Sequence, residues 1–484
     1  MMTDTWARRS GLGAGSWLSV LAVAASGCGE GSANAACGAW QARQADVCVA
    51  RRWVLPDSGD GVYAGDLRHV RVAVSGFGQT VAAWVVSEPS GGRVEVAENP
   101  GLPGRPPTLH SPSEGLIGNA TQVTLAAGPS GEAIVAWKAD VGDGASLFRS
   151  ERDADGRWRD PASDADTFSF APTAYEPVAA YAPAGELLLV WNQWTDTGYG
   201  VAVASKRPGG HWAAPAGPGA VRSRRVFHSN APTPAWNRRG DAILAWYQSD
   251  GEALLAWVSE RPVGASEFAV PGPSDALSPR ETAVDSHPFS NPRPALSDDG
   301  DAVVVWTQED GDGGAVVMLA TRAAGAPWVR PKSLADAISA PGATARCVQP
   351  AFTPSGALIL VWYDDAVGMS RVVAARRSPA GAWDVPGSSP ELLSTPGREA
   401  VSPALAVGLG GGVLVVWSER VDGAWTVMAR RGDARSWGRI ERLSPPGGDA
   451  VQPTVAIGSG RDVAIVGWRQ GGATDASFFA ALVP

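Results

Sequence analysis

Residues 294–328 read PALSDDGDAVVVWTQEDGDGGAVVMLATRAAGAPW. A short Pro-Ala-Leu segment opens the stretch, and a Gly300-Asp301 turn leads into an apolar run that ends at Trp306. A second β-prone run from Ala315 to Thr321 follows, and a further turn ends at Trp328. Short apolar runs bounded by turn residues read as strands. The run ending in Trp then recurs along the chain, at Trp84, Trp137, Trp191, Trp246, Trp306, Trp362, Trp417 and Trp468. Successive spacings are 53, 54, 55, 60, 56, 55 and 51 residues. A second aromatic follows 20 to 22 residues later in most copies, at Trp158, Trp212, Phe268, Trp328, Trp383 and Trp437. A period of this size marks a repeat architecture.

Four short strands per unit is the pattern of a propeller blade, which cannot cover its own apolar faces alone. The repeated Trp falls on the second strand, where it packs between neighbours at about 3–5 kcal/mol each. The chain ends supply a closure. After Trp468 only Ala473 to Val483 remains, enough for a third strand. Arg51-Arg52-Trp53-Val54-Leu55-Pro56 matches fourth-strand segments such as Gly209-Gly210-His211-Trp212. Trp53 precedes Trp84 by 31 residues, as Trp437 precedes Trp468. The expectation is one all-β domain over 49–484. It would be an eight-bladed β-propeller with four-stranded blades, its last blade completed by the N-terminal strand. The 59 Gly and 38 Pro among 484 residues are then the corners between strands. The same composition excludes a helical bundle, and the 21 Trp exclude wholesale disorder.

Asp plus Glu number 49 against 40 Lys plus Arg, a net charge of −9. That sign argues against nucleic acid or an anionic lipid surface as partner. Arg8-Arg9 and the apolar stretch from Leu12 to Ala25 read as an export signal, too short to span a bilayer. It ends in Ala25-Ser26-Gly27-Cys28, which resembles a bacterial lipobox although Leu usually stands where Ala25 is. An ordinary secretory signal is the alternative. The resemblance implies a signal peptide over 1–27, lipidation of Cys28, and a linker over 28–48. Gly29, in place of an Asp, points to the outer membrane. Export also favours a Cys37–Cys48 disulfide, leaving Cys347 as an odd thiol.

The turn between the third and fourth strands resembles the Asp box of BNR, or sialidase-like, propeller repeats, S/T-x-D-x-G-x-x-W. Residues 205–212, SKRPGGHW, keep the Ser, Gly and Trp but have Arg for Asp. Residues 321–328, TRAAGAPW, keep the equivalent three and have Ala. Near Trp158 the Asp survives as Asp153, with Asp155 for the Gly. The layout extends over nearly the whole mature chain. Asp boxes are structural, so the likeness implies fold and not activity. Eight-bladed PQQ-type propellers, outer-membrane assembly lipoproteins among them, share blade count and anchoring, but their A-x-D-x-x-T-G-x-x-x-W pattern is absent.

Propellers commonly bind at the channel mouth. Taken just before the first-strand Pro position, which is Pro177, Pro234, Pro294, Pro350, Pro403 and Pro453 in six of the units, the residues there are Arg71, Gln122, Glu176, Thr233, Arg293, Gln349, Ser402 and Gln452. All are polar, which fits a ligand ring or a solvated rim. Loop histidines (His69, His110, His228, His287) and acidic turns lack metal-ligand spacing, so no metal or cofactor is expected. A sialidase needs a three-Arg clamp and a Tyr–Glu pair. Arg71, Arg293, Arg346 and Arg398 are available, but Tyr175 and Glu176 are adjacent, and adjacent strand residues point apart. No H-E-x-x-H, G-x-S-x-G or P-loop sequence occurs. The sequence therefore favours a monomeric, lipid-anchored envelope protein with no catalytic residues, binding a glycan, peptide or partner protein. A polysaccharide-acting hydrolase or lyase and a purely structural scaffold are the alternatives.

Overall fold

The computed structural model describes residues 40–483 apart from 45–46, 58–60, 62, 90, 102–106, 117, 143, 171–172, 287–290, 341, 366–367, 384–390, 461–462 and 473–474. Among these residues the regular structure is all strand, save a single 3-10 turn at Leu334–Asp336. No helix there is long and apolar enough to cross a membrane. Cys28, Cys37 and the segment read as an export signal lie outside the described residues.

Each apolar run ending in Trp forms a strand, and each unit is named here by that Trp. The run pairs antiparallel with an inner strand on one side and a third strand on the other. In the Trp191 unit these are Ala174–Tyr181, Leu187–Thr195 and Gly198–Lys206. A fourth strand completes the sheet in the Trp137, Trp191, Trp362 and Trp417 units. The Trp246 and Trp306 sheets have three strands, where four were expected. Their outer segments meet the third strand in short contacts: Ala269 donates its amide to Glu260 O and accepts from Ser259 Oγ, and Thr321 and Val329 form a bridge. Pro271, Pro273 and Pro331 remove the amides that a longer ladder would need.

All eight repeat tryptophans are fully buried. The apolar clusters they build are shared between consecutive units. Trp137 packs with Val85 and Val96 of the preceding unit, and Trp306 packs with Ile243 and Val258. A further cluster joins Trp84 and Leu67 to Ile465, Phe478 and Leu482 at the other end of the chain. Backbone pairing joins the same ends. Tyr63–Gly65 pairs with Phe478–Ala476, and Val54 exchanges two hydrogen bonds with Leu482. The Trp53 indole donates to Glu441, as Trp158, Trp212 and Trp328 donate to Glu98, Glu151 and Glu260. Gln41–Gln44 and Val47–Ala50 form a hairpin that straddles the end of the segment assigned as linker. Cys48 is disulfide-bonded to a partner outside the described residues, and Cys347 is a buried free thiol.

Two local devices recur from unit to unit. In the first, the residue two after the Trp is buried and takes its indole proton: Gln193, Gln248, Gln308, Glu419 and Gln470 do so at 2.8–3.3 Å. The glutamine amide then donates to carbonyls of the loop entering that unit, Phe170 and Thr173 for Gln193, and Arg224 and Phe227 for Gln248. In the second, the inner strand carries a bulge with one residue in the left-handed region. That residue is His69, Gln122, Glu176, Ala231, Cys347, Ser402 or Gln452, at φ of 51–57°. A bulge bends the strand and re-aims its side chains.

Candidate functional site

The bulge decides where the expected mouth residues sit. Gln122, Glu176, Ser402 and Gln452 occupy the bulge position itself. Arg71, Thr233, Arg293 and Gln349 lie two residues further along, opposite Ala83, Ala245, Val305 and Val361. The eight therefore form two layers and not one ring. Counting from proline mixes them, because Pro177, Pro403 and Pro453 follow the bulge residue by one and Pro350 follows it by three.

Both layers stitch neighbouring inner strands together. An inner strand is an edge, so its outward amides need acceptors. Gln122 Oε1 accepts from the Glu176 amide at 2.9 Å, and Glu176 Oε2 accepts from the Ala231 amide at 2.9 Å. In the second layer Thr124 Oγ1 accepts from Ala179, and Gln349 Oε1 from Leu405. Part of the polar character read as a ligand ring is thus this stitching. Arg71 and Arg293 are exceptions, since a guanidinium accepts nothing. Arg71 Nη1 donates to Val70 O, and the buried Nε of Arg293 has no partner.

A grouping of aromatic and amide side chains lies between the Trp137, Trp191 and Trp246 units. A cleft of about 540 Å³ is lined by Gln122, Lys138, Asp140, Thr173, Tyr175 and Tyr199 together with glycine backbone. Tyr199 stands at the junction of an aromatic group, edge-on to Tyr175 at 4.6 Å and to Trp194 at 4.8 Å between ring centroids. His228 packs against Trp194 and Tyr199, and its Nδ1 accepts from the Tyr199 amide. Trp194 keeps 37% of its surface exposed, and Phe227, beside His228, keeps 46%. Phe227 also sits at φ 70°, an outlier conformation for a bulky residue.

Beneath the aromatics, Glu176 Oε2 accepts from Asn192 Nδ2 at 2.7 Å and from the Ala231 amide. Burial holds the Glu176 carboxyl above the ordinary glutamate value, against the two hydrogen bonds that favour its charged form. Tyr175 donates its phenol proton to Asn230 Oδ1. Burial, then the charge of Glu176, push the Tyr175 phenol well above the ordinary tyrosine range. Simple strand alternation does not hold here. Tyr175 and Glu176 both reach toward the Ser229–Trp236 strand, because Glu176 is the bulge residue. They still do not make a nucleophile pair. The phenol is bonded to an amide, and its raised pKa is the reverse of activation.

The four arginines considered for a carboxylate clamp do not act together. Arg346 pairs with Asp285 at 2.8 Å and Arg398 with Glu419 at 3.7 Å. Arg71 and Arg293 have no carboxylate partner among the described residues. Tyr199, which lines the cleft, and its neighbours Trp194, Asn192 and Asn230 are not among the positions beside proline that the sequence singles out. The Trp-Asn-Gln-Trp run over 191–194 is the one signal in the sequence that points to them.

No protein-family model matches the chain, and no curated protein sequence matches it. Among solved structures the chain is similar to a protein of unknown function from Dyadobacter fermentans DSM 18053, at 13% identity, 64% of this chain, 94% of that one and TM-score 0.39. It is also similar to a PL25 ulvan lyase, at 9% identity, 72% and 89% coverage and TM-score 0.44. A Hadza microbial sialidase gives 13% identity, 72% and 75% coverage and TM-score 0.36. These likenesses are too distant to carry a function, so the assignment rests on the chain's own residues.

Proposed function

We propose that this chain is a glycan-binding protein of the bacterial cell envelope, and that the cleft of Tyr175, Trp194, Tyr199 and His228 receives the sugar. One observation carries the reading: a partly exposed aromatic group, with Trp194 edge-on to Tyr199, adjoins a polar cleft that Gln122, Lys138, Asp140, Tyr175 and Tyr199 line. Aromatic faces suit the apolar face of a sugar ring, and positioned amides suit its hydroxyls. In this reading the units are blades of an eight-bladed propeller closed by the N-terminal strand. Its outer-strand turns are worn Asp boxes, and the protein is a monomer tethered to the outer membrane through Cys28. The pairing of Val54 and Tyr63 with the C-terminal strand supports the closure.

Binding is tested by calorimetry against envelope and plant-type polysaccharides with the wild type, Trp194→Ala and Tyr199→Ala. Each substitution should weaken binding by about tenfold or more, the usual size for removing an aromatic anchor. Unchanged affinity in both folded variants would sink the assignment. Hydrolase or lyase action is the second reading, favoured by the raised pKa of Glu176, a trait of acid catalysts. New reducing ends or unsaturated products that vanish in Glu176→Gln would replace the binding reading with the enzymatic one.

A further inference from the structure

Given the glycan assignment above, on which this rests, we propose that the sugar taken at the cleft is uncharged: a neutral polysaccharide, and not a uronate, sulfated or amino one. The charges that line the cleft already satisfy one another. Lys138 and Asp140 lie two residues apart on the strand Ala133–Val141, so both project from the same side of its sheet. Lys138 Nζ stands 2.6 Å from Asp140 Oδ1, and Asn119 Nδ2 donates to Asp140 Oδ2 at 3.4 Å. Both residues line the cleft, and among the described residues no other charged side chain does. The charges next to it are taken as well. Asp196, two residues after Trp194, pairs with Arg225 at 2.5 Å. Glu176, next to Tyr175, accepts from Asn192 and the Ala231 amide.

What the cleft leaves uncommitted is neutral. Gln122 spends its Oε1 on the Glu176 amide, and its Nε2 has no partner among the described residues. The side-chain hydroxyls of Thr173 and Tyr199 have none there either. Tyr175 gives its proton to Asn230 Oδ1 and keeps an oxygen lone pair. Donors and acceptors are thus mixed, which suits sugar hydroxyls, since each of those both donates and accepts. A carboxylate or sulfate placed here would meet one ammonium whose charge Asp140 already offsets, and it would lie against Asp140 itself. Such a like-charge contact discriminates strongly against the wrong ligand. An amino sugar meets the reverse difficulty at Lys138.

The probes are three neutral polymers (β-glucan, galactomannan and dextran), with polygalacturonate as the anion and chitosan oligosaccharide as the cation, each titrated calorimetrically into the full chain. At least one neutral polymer should bind, with affinity constant to about twofold between about 50 and 500 mM sodium chloride, because no net charge is matched. Polygalacturonate and chitosan should bind about tenfold more weakly or worse. Asp140→Asn leaves Lys138 without its counter-charge. It should lower the ratio of neutral to polygalacturonate affinity by about tenfold and make polygalacturonate binding salt-sensitive. Asp155→Asn removes the same charge from an exposed turn at the opposite end of that sheet, and should leave the ratio alone. A ratio that Asp140→Asn moves no more than Asp155→Asn does would overturn the proposal. So would wild-type binding of polygalacturonate or chitosan that is tighter than that of every neutral polymer. Loss of that binding in Trp194→Ala would keep the cleft as a glycan site while removing its neutrality. Binding of no polymer at all is a failure of the glycan assignment itself, and the charge class falls with it.

Discussion

Trp137 and Trp246 hold the same place in their units, each fully buried between two sheets. Trp246 donates its indole proton to Gln248, whereas Trp137 Nε1 is buried with no acceptor. The difference lies two residues along the strand, where Gln248 is replaced by Ala139. Trp84, followed by Val86, is also unsatisfied. So is Trp362, where Asp364 is one methylene shorter than a glutamate. Apolar packing of the Trp alone is thus enough to build a unit. The amide adds something else. Gln193 and Gln248 grip carbonyls of Thr173 and Phe227, in the loops that present Tyr175 and His228 to the cleft. Of the units that frame the candidate site, those of Trp191 and Trp246 have entering loops tied to the core in this way and that of Trp137 does not. Gln308 and Gln470 tie the loops of their own units likewise.

Four measurements test this contrast, in descending order of size. Trp137→Ala and Trp246→Ala should each cost about 3–5 kcal/mol in denaturant unfolding, since packing dominates both. A Trp137→Ala cost under about 1 kcal/mol would contradict the shared-core account. Gln248→Ala, which orphans the indole and two carbonyls, should cost about 1–3 kcal/mol and weaken ligand binding at the cleft. Stability loss with no change in binding would separate the amide from the site. Trp246→Phe should cost about 1 kcal/mol more than Trp137→Phe, because only the former gives up a hydrogen bond. Equal values from parallel melts would refute that difference.

The fourth concerns pH. Glu176 has a raised pKa in the fold, so the folded protein holds its proton more tightly than the unfolded chain does. The stability it contributes is present in acid and is lost as pH rises from the unfolded value of about 4.5 through the folded one. Glu441 runs the other way. Burial raises its pKa, but hydrogen bonds from Arg431 and Trp53 and the arginine charges outweigh that and lower it. Its contribution is therefore lost as pH falls below the ordinary glutamate range. In Glu176→Gln the decline on the alkaline side should flatten, by no more than about 1.4 kcal/mol per pH unit. An unchanged pH profile of Tm would show that Glu176 titrates alike folded and unfolded.

Much of the architecture is legible because it repeats. A Trp every 51 to 60 residues, with turn residues between, places the second and third strands of all eight units. Even the pairing of the first segment with the last follows from the 31-residue spacing of Trp53 and Trp84. The Trp-x-Gln pattern is equally present in the sequence. It does not stand out until the strands are paired, because amide side chains are common on strands. The site is harder to read. A bulge is not visible in composition, and proline stands at two different offsets from it. Glu176 and Gln349, each just before a proline, therefore look equivalent in the sequence when they are two residues apart in register.

Which segments become strands, and which face of each is apolar, is written in the chain, because both depend on local propensity and on burial of the repeated Trp. The fold alone makes Tyr175 and Glu176 reach the same way, toward Asn230 and the Ala231 amide, and sets Tyr199 edge-on to both Tyr175 and Trp194. Those relations depend on one left-handed residue in an inner strand and on how neighbouring units are packed. Hydrogen bonds and charges act over a few ångströms of space, and no count along the chain measures that distance.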